Sequence, residues 1–401
     1  MTAPSQPHSL LRTRGQRDSG RVTNVELFFD LVFVFAVTQL SHTLLAHMTL
    51  QGILQMSMLL LAVWWVWIYT SWTTNWLDPE RLPVRLCMFS LMLAGLLMSA
   101  SIPEAFAERG LLFAGAYVFM HVGRTIFFLW AVRKEPQNKR RNFQRILVWL
   151  MLTGSLWICG GCLEGTSRVT LWTLALGLEL IAPSLYYWVP GLGASVIGDW
   201  DIDGSHMAER CSLFVIIALG ESLLVTGATF AEAPWNGETI VAFLVGVLGT
   251  IAMWWLYFDS GAERAHHRIQ AAADPGRQAR LAYTYLHVLI VGGVIVCAVA
   301  DEIALAHPGH ASDAGIAAIL GGPAMYLFAN ALFKWVTNDR RTPPLSHMAG
   351  IVLLAIVAPF AHSFSALVLA STTTAILIVV ATWETIALHR PAVATPGRAA
   401  S

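Results

Sequence analysis

Long apolar stretches recur along this chain, and they restrict its fold more than any other feature. The chain has 401 residues, of which 56% are hydrophobic and only 12% are charged, whereas soluble domains carry about 25% charged residues. Stretches of roughly 18 to 25 residues are long enough to cross about 30 Å of hydrocarbon. The sequence therefore predicts an integral membrane protein with about twelve spans, at 24–45, 51–74, 83–106, 110–132, 143–162, 168–189, 206–229, 237–259, 281–304, 313–335, 346–364 and 366–388.

The length and unbroken apolarity of these stretches favour helices over strands. A membrane-barrel strand needs only about 10 residues and alternates apolar with polar positions. The predicted fold class is therefore all-α. Most of the 25 basic residues lie in the two termini and in the loops after even-numbered spans. By the positive-inside rule, this distribution predicts that both termini are cytoplasmic.

The two halves of the chain contain similar segments, which indicates an internal repeat. The first span, which begins at Glu26, aligns with a segment that begins at Glu209 and places Gln39 opposite Glu221. Further similar pairs are Trp65–Ser71 with Trp254–Ser260, and Glu179–Ala182 with Glu384–Ala387. Because each half has an even number of predicted spans, the repeats should share one orientation and be related by an axis along the membrane normal.

Composition predicts where the repeats begin and end. The first 20 residues are polar and basic, and Gly and Asp are frequent between the halves. The predicted domains are a disordered cytoplasmic tail at 1–20, a six-helix repeat at 21–189, a cytoplasmic linker at 190–205, a second six-helix repeat at 206–389 and a cytoplasmic tail at 390–401.

Charged residues within the predicted spans are the candidate functional groups, because a charge at mid-bilayer costs about 2.5–3.5 kcal/mol or more. Glu26 and Asp30 are four residues apart and share one helix face. Arg210 and Glu221 are three turns apart and also share a face, with Glu221 near mid-membrane. The remaining candidates are Glu179, Glu384, Glu209, Arg124 and Asp259.

Two interpretations of these charges remain open. Arg124 and Arg210 can each neutralise a carboxylate on a neighbouring helix and so stabilise the bundle. However, the acidic candidates outnumber these two arginines, so pairing alone leaves carboxylates over. A leftover carboxylate near mid-membrane is typical of proton relays and cation pathways.

Motifs for catalysis are scarce in the sequence. It contains no His-Glu-x-x-His, no Gly-x-Ser-x-Gly and no phosphate-binding glycine loop. His121, His206 and His287 lie on different predicted spans, and only a fold that brings them together would make a metal site. We therefore expect no catalytic residues, no metal and no cofactor. The formal net charge of zero predicts no nucleic-acid partner, and the oligomeric state stays open.

The segment from Glu26 to Ala36, followed by Glu209-Arg210 and the run from Ile216 to Ser222, resembles the bacterial low temperature requirement protein A (LtrA) family. The resemblance extends over nearly all of residues 21–389. It implies a multi-pass protein of the bacterial inner (plasma) membrane that is associated with growth in the cold. It implies no reaction, no substrate and no catalytic residues.

The combined hypothesis is movement of a proton, a cation or a small solute between the repeats. Glu221 would be the central protonatable or ion-binding group, and Glu26 with Asp30 would form an inner vestibule with Arg210 as counter-charge. Glu179 and Glu384 would be symmetry mates on facing helices. One alternative is an intramembrane enzyme or lipid-handling factor, and another is a structural or sensory protein with fully paired charges.

Overall fold

The computed structural model describes residues 9–12, 21–135, 137–196, 203–259, 275–337 and 342–389. Helices make up most of these ranges, and pairing of extended backbone within them is limited to two isolated bridges. The all-α fold class is therefore confirmed. The rest of the predicted tails, of the linker 190–205 and of the loop after the eighth predicted span lies outside the described residues.

Twelve described helices follow one another, and eleven of them are long and apolar enough to span a membrane. They are α1 Asn24–Ala46, α2 Leu50–Trp76, α3 Leu82–Glu104, α4 Gly110–Ala131, α5 Gln137–Gly161, α6 Gly165–Ile181, α7 Gly204–Glu232, α8 Gly237–Phe258, α9 Arg277–Ala306, α10 Asp313–Thr337, α11 Leu345–Ser363 and α12 Ala366–His389.

Helix α6 is the exception, because it has 17 residues where the sequence predicted a span at 168–189. Its axis is about 25 Å long, which is short of the roughly 30 Å of hydrocarbon. Pro183 lacks a backbone N–H, so it cannot donate to the Glu179 carbonyl, and the regular helix ends at Ile181. Tyr186 and Tyr187 then have φ values of 51° and 50°, outside the helical region.

The first helix buries its acids and exposes its apolar residues, as a membrane protein requires. Glu26 and Asp30 are fully buried, whereas Phe28 and Leu31 are each 56% exposed. This pattern of buried acids and exposed apolar side chains arises because the surrounding lipid hydrocarbon favours leucine and phenylalanine but offers no hydrogen bonds to a carboxylate. The polar face of α1 must therefore find its partners inside the bundle.

The centre of the bundle is the place where the two halves of the chain meet. Helix α1 packs against α2 and α3 of its own half and against α7 and α9 of the other half. Helix α2 also packs against α7 and α9. One continuous core of buried apolar side chains includes residues from both halves. The acidic face of α1 is thus directed at the first helix of the second half.

Candidate functional site

The start of α1 holds Glu26 in place through a capping box. Thr23 caps the helix, and its side chain accepts a hydrogen bond from the Glu26 N–H at 3.4 Å. The Glu26 carboxylate in turn accepts from the Thr23 backbone N–H at 2.9 Å. In a capping box, the side chains of two residues at a helix start each accept a hydrogen bond from the backbone N–H of the other residue. Here it also fixes the direction in which a fully buried carboxylate points.

Three basic side chains surround the Glu26 carboxylate. Arg12 Nη2 lies 2.7 Å from Oε2, while His206 Nε2 and Arg210 Nη1 lie 2.8 and 3.1 Å from Oε1. Arg12 precedes the first helix, and His206 and Arg210 belong to the first two turns of α7. Glu26 therefore joins the N-terminal segment, the first half and the second half of the chain at one point.

Arg210 connects Glu26 to the second carboxylate of α1. Its Nη2 donates to Asp30 Oδ1 at 2.6 Å, and Trp67 Nε1 donates to the same oxygen at 2.7 Å. The guanidinium also lies over the Trp67 ring, 5.5 Å from its centre. Such stacking suits the planar, weakly hydrated arginine head group. We refer to Arg12, Glu26, Asp30, His206 and Arg210 as the ion-pair cluster.

The cap of α7 positions His206. Asp203 is the N-cap residue, and Asn75 at the end of α2 exchanges hydrogen bonds with the Asp203 backbone at 2.8 and 2.9 Å. Asn75 Nδ2 also donates to His206 Nδ1 at 3.2 Å. With the proton assigned to Nε2, which then donates to Glu26, Nδ1 accepts from Asn75 and the neutral imidazole makes both contacts.

Asp203 lies just outside the span and its carboxyl group has a perturbed pKa. Burial opposes ionisation, but hydrogen bonds from the Ser205 hydroxyl and from the Ser205 and His206 N–H groups outweigh it and lower the pKa below its ordinary value. The ionised Asp203 therefore stabilises the first turn of α7, since an anion is favoured at a helix N-terminus.

The sequence predicted a vestibule at Glu26 and Asp30, and the structure places both carboxylates in a closed site. Both side chains are fully buried. Arg12 covers Glu26 on the side where α1 begins, and Arg210 lies between the two carboxylates. The vestibule, with Arg210 as its counter-charge, stays a prediction.

Aromatic side chains lie directly beyond the ion-pair cluster along α1 and α7. Phe33 follows Asp30 by about one turn, and Phe214 follows Arg210 by about one turn. The centres of these two rings are 6.4 Å apart. Trp67 and Trp64 of α2 pack on Phe214 at 4.4 and 5.4 Å. We call Phe33, Trp64, Trp67 and Phe214 the aromatic layer.

Glu221 lies on the far side of the aromatic layer. It is 5% exposed, and the Thr38 hydroxyl donates to its Oε1 at 2.5 Å. The distance along α7 from Arg210 is about 16 Å. Within the described part of the chain, no basic side chain lies within ion-pairing distance of Glu221. The Asp30–Arg210, Phe33–Phe214 and Thr38–Glu221 contacts therefore form three levels along one helix pair.

A second carboxylate without a basic partner lies on α9. Asp301 packs against Gly246 of α8, where an added Cβ would lie 3.2 Å from the Asp301 carboxyl carbon. No described side chain forms an ion pair with Asp301. A cavity of about 20 Å³ adjoins it, lined also by Thr373 and Thr374 of α12. Such a volume is enough for about one water molecule.

The other two candidates of the first half, Glu179 and Arg124, do not pair with each other. Glu179 is buried and accepts hydrogen bonds from Tyr117 and from Trp157, the latter at 3.2 Å. Arg124 is also buried and donates to Thr70 at 2.9 Å and to the Val66 carbonyl at 3.3 Å. Its Nη2 also donates to His121 Nδ1 at 3.1 Å. Neutral groups satisfy both of these charged residues.

Glu384 forms a buried ion pair with Lys334 in the second half of the chain. Lys334 Nζ lies 2.7 Å from Glu384 Oε2 and also donates to the Leu256 carbonyl at 2.6 Å. His347 lies 3.8 Å from the same carboxylate. Glu179 and Glu384 were predicted to be symmetry mates, and their surroundings differ in kind: aromatic donors at one and a lysine at the other.

Glu209 and Asp259 lie at the surface. Glu209 accepts a hydrogen bond from the Val22 N–H at 3.2 Å, and Asp259 accepts from Thr385 at 2.8 Å. Neither contributes a charge to the ion-pair cluster in the described ranges. Their contacts tie the start of α1 to α7 and the end of α8 to α12.

Several residues that complete the site are not among those predicted from the sequence. Arg12 lies in the predicted disordered tail, and Asn75 and Lys334 are not predicted partners. The sequence did contain signals for the two helix caps of the site. Thr23-x-x-Glu26 has the spacing of a capping box, and Asp203-Gly-Ser-His206 has an N-cap residue before a helix. Among the described residues, no group of three His, Cys, Asp or Glu side chains is arranged to hold a metal ion.

The fold and the site define a multi-pass helical membrane protein with a buried charged cluster between its first and seventh helices. The sequence profile of the bacterial low temperature requirement A protein (LtrA) family matches residues 21–382, and the chain belongs to that family. An uncharacterized protein of Rhizobium meliloti (strain 1021) is 41% identical over 389 residues, which cover 96% of this chain and 94% of that protein. No solved structure has significant similarity to the chain.

Proposed function

We propose that this LtrA-family protein moves a proton, a cation or a small solute across a bacterial inner membrane, along the interface between α1 and α7. The observation that carries the proposal is the position of Glu221. This buried carboxylate lies on the same helix pair as the ion-pair cluster and has a threonine as its described partner. Ionisable residues in such positions line ion pathways and proton relays.

The charges of the ion-pair cluster support a separate role for Glu221. Arg12 and Arg210 balance Glu26 and Asp30, and His206 meets its contacts as a neutral ring. The cluster thus needs no further carboxylate for neutrality. An isolated buried charge is expensive, so Glu221 is a group that can accept a proton or attract a cation.

The aromatic layer bears on whether the proposed pathway is open or closed in this structure. Phe214 contacts Phe33, Trp64 and Trp67 between the level of Asp30 and the level of Glu221. A layer of packed rings excludes water and ions, as hydrophobic constrictions in channels do. We therefore interpret the arrangement as a closed state, in which these rings must move before an ion passes.

The proposal includes twelve spans in two parallel repeats with both termini in the cytoplasm, and it counts α6 as a span because its 17 residues are at the lower end of the transmembrane range. Packing within each half supports it. Helix α1 packs against α2 and α3, and α7 packs in the same way against α8 and α9. The contacts between halves are less regular, because α9 packs against α1 and α2 while α3 makes no comparable described contact with α7 or α8.

The test is flux in proteoliposomes that contain a pH-sensitive dye, under imposed proton and potassium gradients. Wild type is compared with Glu221→Gln, which removes the charge at nearly constant volume. Glu238→Gln is the matched control, because Glu238 is an exposed carboxylate in the first turn of α8. We expect flux from wild type and the control and at least a tenfold loss in Glu221→Gln. Equal flux from all three would reject the role of Glu221.

An apolar groove supports a second candidate, the lipid-handling alternative. The groove has a volume of about 680 Å³ and lies between α3 and α4. Its lining consists of apolar side chains together with Ser90, and includes Leu93, Leu97, Leu112 and Phe119. This surface suits acyl chains and offers no acid–base group. If no gradient drives flux through folded wild type, binding of labelled lipid to this groove becomes the next measurement.

A further inference from the structure

Residues 9–12 lie against the last turn of α2, although the sequence predicted disorder for 1–20. Leu11 forms an antiparallel bridge with Leu77. The Arg12 N–H donates to the Trp76 carbonyl at 2.8 Å, and the Asp78 N–H donates to the Leu10 carbonyl at 2.9 Å. These backbone contacts bring the Arg12 side chain to the place where α1 and α7 begin.

The Arg12 guanidinium occupies a set of acceptors that fits its shape. Nη2 donates to Glu26 Oε2 at 2.7 Å, and Nε donates to the Thr74 carbonyl at 2.7 Å and to the Leu77 carbonyl at 3.3 Å. Nη1 donates to the Arg21 carbonyl at 3.2 Å. All three nitrogens therefore have partners. We call this set of acceptors the guanidinium cradle.

Most of the guanidinium cradle belongs to the transmembrane helices. Glu26 is held by the capping box of α1, and the Thr74 and Leu77 carbonyls lie at the C-terminal end of α2. That end of a helix carries partial negative charge. The cradle thus combines one buried carboxylate with carbonyl oxygens in a planar fork geometry, which suits a guanidinium better than a spherical ion.

When Arg12 is absent, the charge balance of the ion-pair cluster favours binding of another cation in its place. Without Arg12, the carboxylates of Glu26 and Asp30 face the guanidinium of Arg210 and the imidazole of His206. With that imidazole neutral, one negative charge is left without compensation in a buried site. Leaving such a charge unpaired is strongly unfavourable, so an emptied cradle attracts a cation that fits its acceptors.

We propose that the guanidinium cradle is a binding site for small organic cations that carry a guanidinium group, and that Arg12 occupies it as a tethered ligand. Release of residues 9–12 exposes the cradle on the side where α1 and α7 begin. This inference deepens the proposed function by naming a solute class for the α1–α7 interface, and it rests on that function only for passage across the membrane.

The test is chemical rescue of a full-length variant without the Arg12 side chain. Arg12→Ala is purified in detergent, and its thermal unfolding is followed with guanidinium or methylguanidinium chloride at low millimolar concentration. Sodium chloride and tetramethylammonium chloride at equal ionic strength are the reference salts. We expect Arg12→Ala to unfold below wild type, and guanidinium to raise its midpoint by roughly 2 °C or more with saturation.

Arg109→Ala is the matched control for the rescue. Arg109 is an exposed arginine that donates to the Ala100 carbonyl, away from the ion-pair cluster. Guanidinium should not raise its midpoint or that of wild type, where Arg12 already fills the cradle. An equal rise in Arg109→Ala, an equal effect of tetramethylammonium, or no rise in Arg12→Ala would overturn the proposal.

A second variant keeps the proposal testable if Arg12→Ala does not fold. Arg12→Gln retains most of the aliphatic stem, and equilibrium dialysis with labelled guanidinium measures its binding directly. We expect saturable binding to Arg12→Gln that is at least tenfold weaker in wild type. Equal binding to both proteins would reject the cradle as the site.

The outcomes for binding and for transport are separable. Guanidinium binding to Arg12→Ala without flux of any ion in proteoliposomes would support the cradle and reject the proposed function. Flux that depends on Glu221, together with absence of guanidinium binding, would reject the cradle and leave the proposed function standing. Uptake of labelled guanidinium that is faster in Arg12→Ala than in wild type would support both.

Discussion

Arg210 of α7 donates to Asp30 of α1 at 2.6 Å, and the same guanidinium reaches Glu26 at 3.1 Å. Both carboxylates and the arginine are fully buried. This one side chain therefore links the first helix of one half to the first helix of the other. Along α7, this contact is followed first by the aromatic layer and then by Glu221.

Arg210→Gln should destabilise the protein by about 3–5 kcal/mol, because it leaves two buried carboxylates without their shared counter-charge. Arg210→Lys should recover only part of this loss, since an ammonium cannot serve two carboxylates in a fixed fork geometry. The measurement is unfolding of the purified variants in detergent. The neighbouring exposed residue supplies the control, and Glu209→Gln should stay within about 0.5 kcal/mol of wild type.

Lys334 and Glu384 should be strongly coupled in a double-mutant cycle. Glu384→Gln and Lys334→Met should each destabilise by roughly 3 kcal/mol, because each leaves the other residue buried without its 2.7 Å partner. The double variant should be less destabilised than the sum of the two, with a coupling energy above about 1 kcal/mol. Strict additivity in unfolding measurements would show that the pair does not act as a unit.

Asp203 should make a pH-dependent contribution to stability. Its pKa is lowered in the folded protein, so its contribution is fully present above the ordinary aspartate value of about 3.9. The contribution is lost as pH falls through the lower folded-state pKa. The midpoint difference between wild type and Asp203→Ala should therefore be constant near neutral pH and shrink in acid below about pH 4.

Asp313→Ala provides the comparison for the acid experiment, because the Asp313 side chain is 96% exposed. It should differ from wild type by no more than about 0.5 kcal/mol at every pH. A difference for Asp203→Ala that grows as the pH falls would contradict the assignment of an ionised, hydrogen-bonded cap.

Two adjacent glycines of α10 should respond differently to substitution by alanine. A Cβ at Gly322 would lie 2.9 Å from the Cys297 backbone nitrogen on α9, whereas a Cβ at Gly321 would meet nothing within 4 Å. Gly322→Ala should cost about 1–3 kcal/mol because the backbones must separate. Gly321→Ala should be neutral or stabilise by up to about 1 kcal/mol. Equal midpoints would contradict the close α9–α10 contact.

The candidate site was partly visible in the sequence. The spacing of Glu26 and Asp30 predicted a shared face, and Arg210, one of two arginines within predicted spans, was predicted to be their counter-charge. One of the two interpretations of the sequence paired Arg124 with a carboxylate on a neighbouring helix, whereas Thr70, His121 and a backbone carbonyl satisfy it. Counting charges cannot distinguish these cases, because neutral oxygens in a helix bundle also solvate a guanidinium.

The positions of the predicted spans agree with the structure better than their predicted number does. Eleven described helices have the length and apolarity of a membrane span, and α6 is shorter than predicted. Hydropathy extends across Pro183 and the tyrosines that follow, but the backbone leaves the helix there. Apolarity is a property of side chains, and it does not register the loss of a backbone donor.

The sequence by itself determined that the chain is helical and multi-pass, because long apolar stretches in hydrocarbon must satisfy their own backbone hydrogen bonds. It also determined membership of the LtrA family, because the family profile matches residues 21–382. Only the tertiary structure decided which charges meet. Asp30 and Arg210 are 180 residues apart, and Arg12 reaches Glu26 from outside the membrane helices. Periodicity identifies the face of a helix, but the packing of whole helices selects the partner for that face.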